Sequence, residues 1–171
     1  MAEDHRTRPI RQADEREMLC AFLDYQRQTL LMKVAGLDDK EARQQLLLTP
    51  TSLLGLVRHL AEIERWWFRI VFAGEPIGLR YCGEQDPERD WHVEPGDTLA
   101  DAVAAYEEEC EASSAAIAAA GSLDDVARAA IGHDEPPYSL RWILLHVIEE
   151  TARHNGHADI LREITDGEVG A

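Results

Sequence analysis

Apolar positions recur at helical spacing along four long stretches of the chain, and no stretch alternates with the period of a strand. The first covers 13–35, where Met18, Phe22, Tyr25, Leu30 and Val34 fall near one face and Gly36 supplies a stop. A short helical piece is expected over 38–46, opened by Asp38 and Asp39. The second long helix starts from the polar and proline-bearing run Thr49-Pro50-Thr51-Ser52. It passes through Leu53, Leu56, Leu60, Ile63, Trp67 and Ile70 and ends near Gly74. Asp97-Thr98 caps a third helix over 99–120, stopped by Gly121, and 124–131 reads as one more short helical stretch. Gly132-His133-Asp134-Glu135-Pro136-Pro137 breaks the chain, Ser139 caps the fourth long helix over 140–164, and Gly167 would end it.

Four amphipathic helices, each about 30 Å long, predict an all-α four-helix bundle occupying 1–171 as a single domain. Between the second and third helices lies a stretch, 74–97, that holds Gly74, Pro76, Gly78, Gly83, Pro87, Pro95 and Gly96. A loop that long in a small bundle belongs to the functional class of connections, and it carries Trp91 and His92.

Charge narrows the function classes. Seventeen Lys and Arg stand against 33 Asp and Glu, a net charge of −16, which repels phosphate backbones and anionic membrane surfaces. No apolar run approaches the length of a membrane span, and the first residues lack the apolar core of a secretory signal. Cys20, Cys82 and Cys110 are odd in number and far apart, which fits small packing residues in a reducing cytoplasm rather than a disulfide framework or a thiolate zinc site.

Candidate chemistry gathers on two helices. His146, Glu150, His154 and His157 follow at steps of 4, 4 and 3 and share one helical stripe, with Arg153 beside them. On the second helix His59 interrupts an apolar run. A carboxylate and an imidazole at i and i+4 can close on one metal ion, and Glu150, His154 and His59 together would offer two nitrogens and one oxygen with open positions left over. Glu88 and His92 have the same spacing in the irregular loop, where nothing aligns them. The same stripe also reads as a solvated face, His59 as a hydrogen-bonded core histidine, and Arg153 either as a carboxylate binder or as a partner of Glu149. Trp66, Trp67, Phe68 and Phe72 read as core packing, or with Trp91 as walls of a pocket. The E-x-x-H pairs of di-iron bundles, H-E-x-x-H and glycine-rich phosphate loops are all missing.

Two runs resemble the DinB-like superfamily: Trp66-Trp-Phe-Arg-Ile-Val-Phe-Ala-Gly-Glu75, and Ser139 through Asp159 with Leu161 to Gly167 following. Within it the chain is most similar to an actinobacterial branch once named after a mini-circle protein. The resemblance implies a four-helix bundle with a divalent metal, zinc first and nickel or iron next, on three side chains. The usual pattern there is three histidines; here Glu150 replaces one, as in the related mycothiol-dependent maleylpyruvate isomerases. Carried over, His59, Glu150 and His154 are the ligands, while His146, Arg153, His157 and Trp91 line the pocket or support it. The implied activity is transfer or isomerisation with a small thiol such as mycothiol as cosubstrate and an electrophile as partner, in a homodimer. A non-catalytic, stress-related metal-binding bundle is the alternative. Fifteen arginines against two lysines lean toward a high-GC genome, compatible with a mycothiol producer.

Overall fold

The computed structural model describes residues 5–131 and 135–169, and among these it is all-helical, without a named strand. Helix α1 spans Glu15–Val34, the single-turn α2 spans Asp39–Ala42, α3 spans Leu53–Glu64, α4 spans Leu99–Ala119 and α5 spans Leu140–Asp166. Each start is fixed by a short polar side chain that accepts an otherwise orphaned backbone N–H: Asp14 from Glu17, Asp38 from Glu41, Ser52 from Gly55, Thr98 from Asp101 and Ser139 from Trp142. Gly167, at φ 79°, ends α5 in the left-handed conformation that only glycine adopts cheaply.

The closest helix pairs are α3 with α4 and α1 with α5, and α3 also packs on α5. Apolar side chains bury in two clusters. One is built around Leu30, Leu53, Leu54, Leu56, Leu60, Tyr106 and Leu161, the other around Leu23, Phe68, Ile143, Leu144 and Val147. Between α1 and α4 the helices stand apart over a groove that holds a cavity of about 570 Å³. Its floor includes buried Arg27, whose guanidinium grips both oxygens of Glu64 at 2.7 Å.

Two expectations are corrected. The second long helix does not stay α-helical to Gly74: from Arg65 to Phe72 it is a π-helix, closed by the Ala73 N–H donating to Phe68 O. The stretch 124–131 is irregular, a run of turn and bends with one bridge residue, rather than helical. Val126 bridges Ser139, and the N–H groups of Arg128 and Ala129 donate to the carbonyls of Phe72 and Val71, which the π segment presents to them. Partners outside the segment therefore outbid its local helical preference. Gly74, at φ 65°, lies where a Cβ would come 2.9 Å from the Arg128 Cβ, so the turn after the π-helix needs glycine on both counts. Of the expected breaker, Gly132, His133 and Asp134 lie outside the described residues.

Candidate functional site

Helix α3 presents His59 on the side that faces α5, one turn after Gly55. Helix α5 presents Glu150 and His154 one turn apart on the facing stripe. One ligand atom from each of these three residues lies within 4.8 Å of the others. The Glu150 Oε1 is 3.1 Å from His154 Nε2 and 3.7 Å from His59 Nε2. The solvated-face reading of the stripe fails at this point: His154 is buried and the Glu150 side chain is only 14% exposed.

Asp90, from the loop, is the residue the sequence reading missed. Its Oδ2 lies 2.7 Å from His59 Nδ1. Burial disfavours its charge, but bonds from His59 and from the Cys82 thiol outweigh that, and its carboxyl ionises below the usual range. An ionised carboxylate can only accept, so His59 Nδ1 carries the hydrogen and donates it. That leaves Nε2, buried and without a hydrogen-bond partner, turned toward Glu150. Nothing in the spacing announces Asp90, which sits 31 residues from His59 in a segment without periodicity.

The loop is held by two α3 residues that flank His59. Buried Glu62 accepts the backbone N–H groups of Arg80, Tyr81 and Cys82 at 2.7, 2.9 and 2.8 Å. Buried Arg58 donates to the carbonyls of Arg89 and His92 and to Asp97, with its guanidinium over the Tyr81 ring. The clamp brings Trp91 to stack on His59 with ring centroids 4.4 Å apart, and the indole lies against the helix at Gly55.

The other expected residues divide. Arg153 is half-exposed and pairs with carboxylates of its own helix, Glu149 at 3.4 Å and Glu150 Oε2 at 3.1 Å. His157 is exposed, and its Nδ1 lies 3.3 Å from His154 Nδ1. His146 is not with the three: it sits one turn earlier, between Trp67 and Trp142. His92 pairs with Asp86 rather than with Glu88, so the same i, i+4 spacing without a helix joins nothing.

Electrostatics suit a ligand cluster. Burial, then the neighbouring His59 imidazole, push His154 down to about 4, so its ring is neutral at pH 7. Burial opposes ionisation of Glu150, but His154, Arg153 and His59 outweigh it and hold the carboxyl below its usual range. A neutral imidazole and an ionised carboxylate are the protonation states a metal requires. The cysteines offer no thiolate: burial raises Cys20 and Cys110, and burial with Asp90 beside it pushes Cys82 up to about 12. No helix among the described residues is long and apolar enough to cross a membrane.

Among known families, the model described as mycothiol-S-transferase matches residues 18–167. No curated protein matches the chain.

Proposed function

The chain belongs to the mycothiol-S-transferase family, within the DinB-like superfamily, and from that premise we propose that it is a divalent-metal-dependent enzyme that transfers a small thiol, mycothiol first, to an electrophilic carbon. The observation that carries the metal reading is the orphaned His59 Nε2, buried beside Glu150 while Asp90 occupies the other ring nitrogen. A buried polar atom without a partner is costly, and two imidazole nitrogens with one carboxylate oxygen form the donor set of catalytic zinc sites that keep positions open.

His59, Glu150 and His154 would hold the ion, with zinc favoured and nickel or iron next. When bound, such an ion lowers the pKa of a thiol and keeps it as the nucleophilic thiolate. The rest is done by the chain. Asp90 fixes the His59 tautomer and ring orientation. Trp91 covers one face of His59. Arg153 neutralises Glu150 Oε2, the oxygen turned away from the histidines, and His157 holds the outer nitrogen of His154. On the same reading the protein works in the cytoplasm as a homodimer of a single bundle domain over 1–171. Its partners are a thiol and an electrophile, and a net charge of −16 keeps nucleic acid away.

The test is the metal content of untagged protein beside His59→Ala/His154→Ala, together with mycothiol-dependent consumption of an electrophile. About one equivalent of divalent metal is expected, with both metal and turnover lost in the double variant. Turnover that persists in metal-free protein, or no metal after reconstitution with zinc, nickel and iron, overturns the reading.

A further inference from the structure

The seam between α3 with its π continuation and α5 does not end at Glu150. His59 meets His154 with ring centroids 4.8 Å apart, and Trp67 meets His146 at the same 4.8 Å. Both pairs lie eight residues apart on their helices, so the two contacts mark the ends of one antiparallel seam about 12 Å long, with Glu150 midway on α5. At the far end Trp67, Tyr138, Trp142 and His146 form a continuous aromatic group. Tyr138 and Trp142 lie 4.4 Å apart, Trp67 and Trp142 5.3 Å, and His146 stacks on Trp142 at 4.9 Å and 19°.

Trp67 and Tyr138 rest against the second core cluster, but the group stays open on its outer side in two ways. Trp142 is 41% exposed, and the other three are only half-buried. The His146 nitrogens make no hydrogen bond among the described residues and are not buried, so an imidazole donor or acceptor is left free about 6 Å along the helix from Glu150. Electron-rich indole faces beside a free polar group suit a flat, electron-poor ring that carries a polar substituent.

Resting on the transferase reading above, we propose that Trp67, Trp142 and His146 form the acceptor subsite and that it takes an aromatic electrophile, stacked on Trp142 with its polar substituent at His146. The seam then aims the ring's reactive carbon toward Glu150 and the facing histidines. With an aryl halide as acceptor, the thiol sulfur–carbon bond forms and the carbon–halogen bond breaks. The halide leaves with its electron pair, and the thiol proton passes to solvent.

The test separates binding from turnover. Binding of inert 4-nitrobenzyl alcohol and of saturated cyclohexylmethanol is measured by saturation-transfer NMR on wild type, Trp142→Leu, His146→Leu and the control Ile160→Ala, whose side chain is exposed elsewhere on α5. The nitroaromatic is expected to bind tighter than its saturated counterpart. Its Kd should rise about three- to tenfold in Trp142→Leu and in His146→Leu, but not in Ile160→Ala. Equal binding of the two alcohols, or wild-type affinity in Trp142→Leu with its melting temperature kept, overturns the proposal. So does conversion of a dimer to monomer by Trp142→Leu in sedimentation, which would make the patch an interface. A protein that binds the nitroaromatic as expected yet never turns over 1-chloro-2,4-dinitrobenzene with mycothiol supports the subsite and overturns the transferase reading.

Discussion

Asp90 and His59 show how one hydrogen bond decides which atom faces the site. Because an ionised carboxylate accepts from Nδ1–H, the lone pair of His59 is left on Nε2, toward Glu150. Asp90→Ala should weaken zinc affinity about 10- to 100-fold, read by competition with a chromophoric chelator, while the far-UV circular dichroism stays that of the wild type. Unchanged affinity would reduce Asp90 to a loop anchor. At this scale the sequence was legible where a helix imposes periodicity: Glu150 and His154 stand four apart, and His59 interrupts an apolar run. It was silent on Asp90, whose position depends on two anchors in α3 and not on any spacing of its own.

Helix starts could be read from the chain because capping is local chemistry. Ser52, Thr98 and Ser139 each satisfy a backbone N–H three residues on, and no distant partner is needed. The segment 124–131 could not be read this way, since the carbonyls that fix it belong to Val71 and Phe72. The π turn was hidden as well: Trp66, Trp67, Phe68 and Phe72 fit an ordinary amphipathic helix by pattern. The loop over 74–97 was recognised by its glycines and prolines, but its order comes from Glu62 and Arg58. Glu62→Ala leaves three backbone N–H groups without their charged acceptor and should cost about 2–3 kcal/mol. Trypsin should then cut after Arg80 or Arg89 in the folded variant, and wild-type resistance there would show that the clamp is dispensable.

Across the whole molecule, the acidic surplus is held together at a few paired sites. Fully buried Glu109 of α4 takes Arg65 and Arg69 of the π segment and Arg80 of the loop at 2.7, 3.0 and 2.8 Å. Burial opposes its ionisation, but the three arginines prevail and hold its carboxyl below the ordinary 4.5. A folded value below the unfolded one stabilises above the unfolded value, and this is lost as the pH falls through the folded one. Glu109→Gln should therefore cost about 3 kcal/mol at neutral pH in urea unfolding. The gap from wild type should begin to close as the pH drops under 4.5, and a gap that persists to lower pH would refute the assignment. The helical class and the pairing of the second and fourth long helices were open to sequence reasoning, whereas three arginines converging on one buried glutamate were not, because charged residues read as surface. The main packing partner of α1 is α5, which follows the other helices among the described residues. During synthesis, then, the side of α1 that packs on α5 stays uncovered until α5 is made, and the buried residues of α1 mix Leu23, Leu30 and Val34 with Arg27, Thr29 and Lys33. The polar groups keep the waiting helix wettable. Since Glu150 and His154 arrive on α5, His59 cannot meet them until every helix before it has been made.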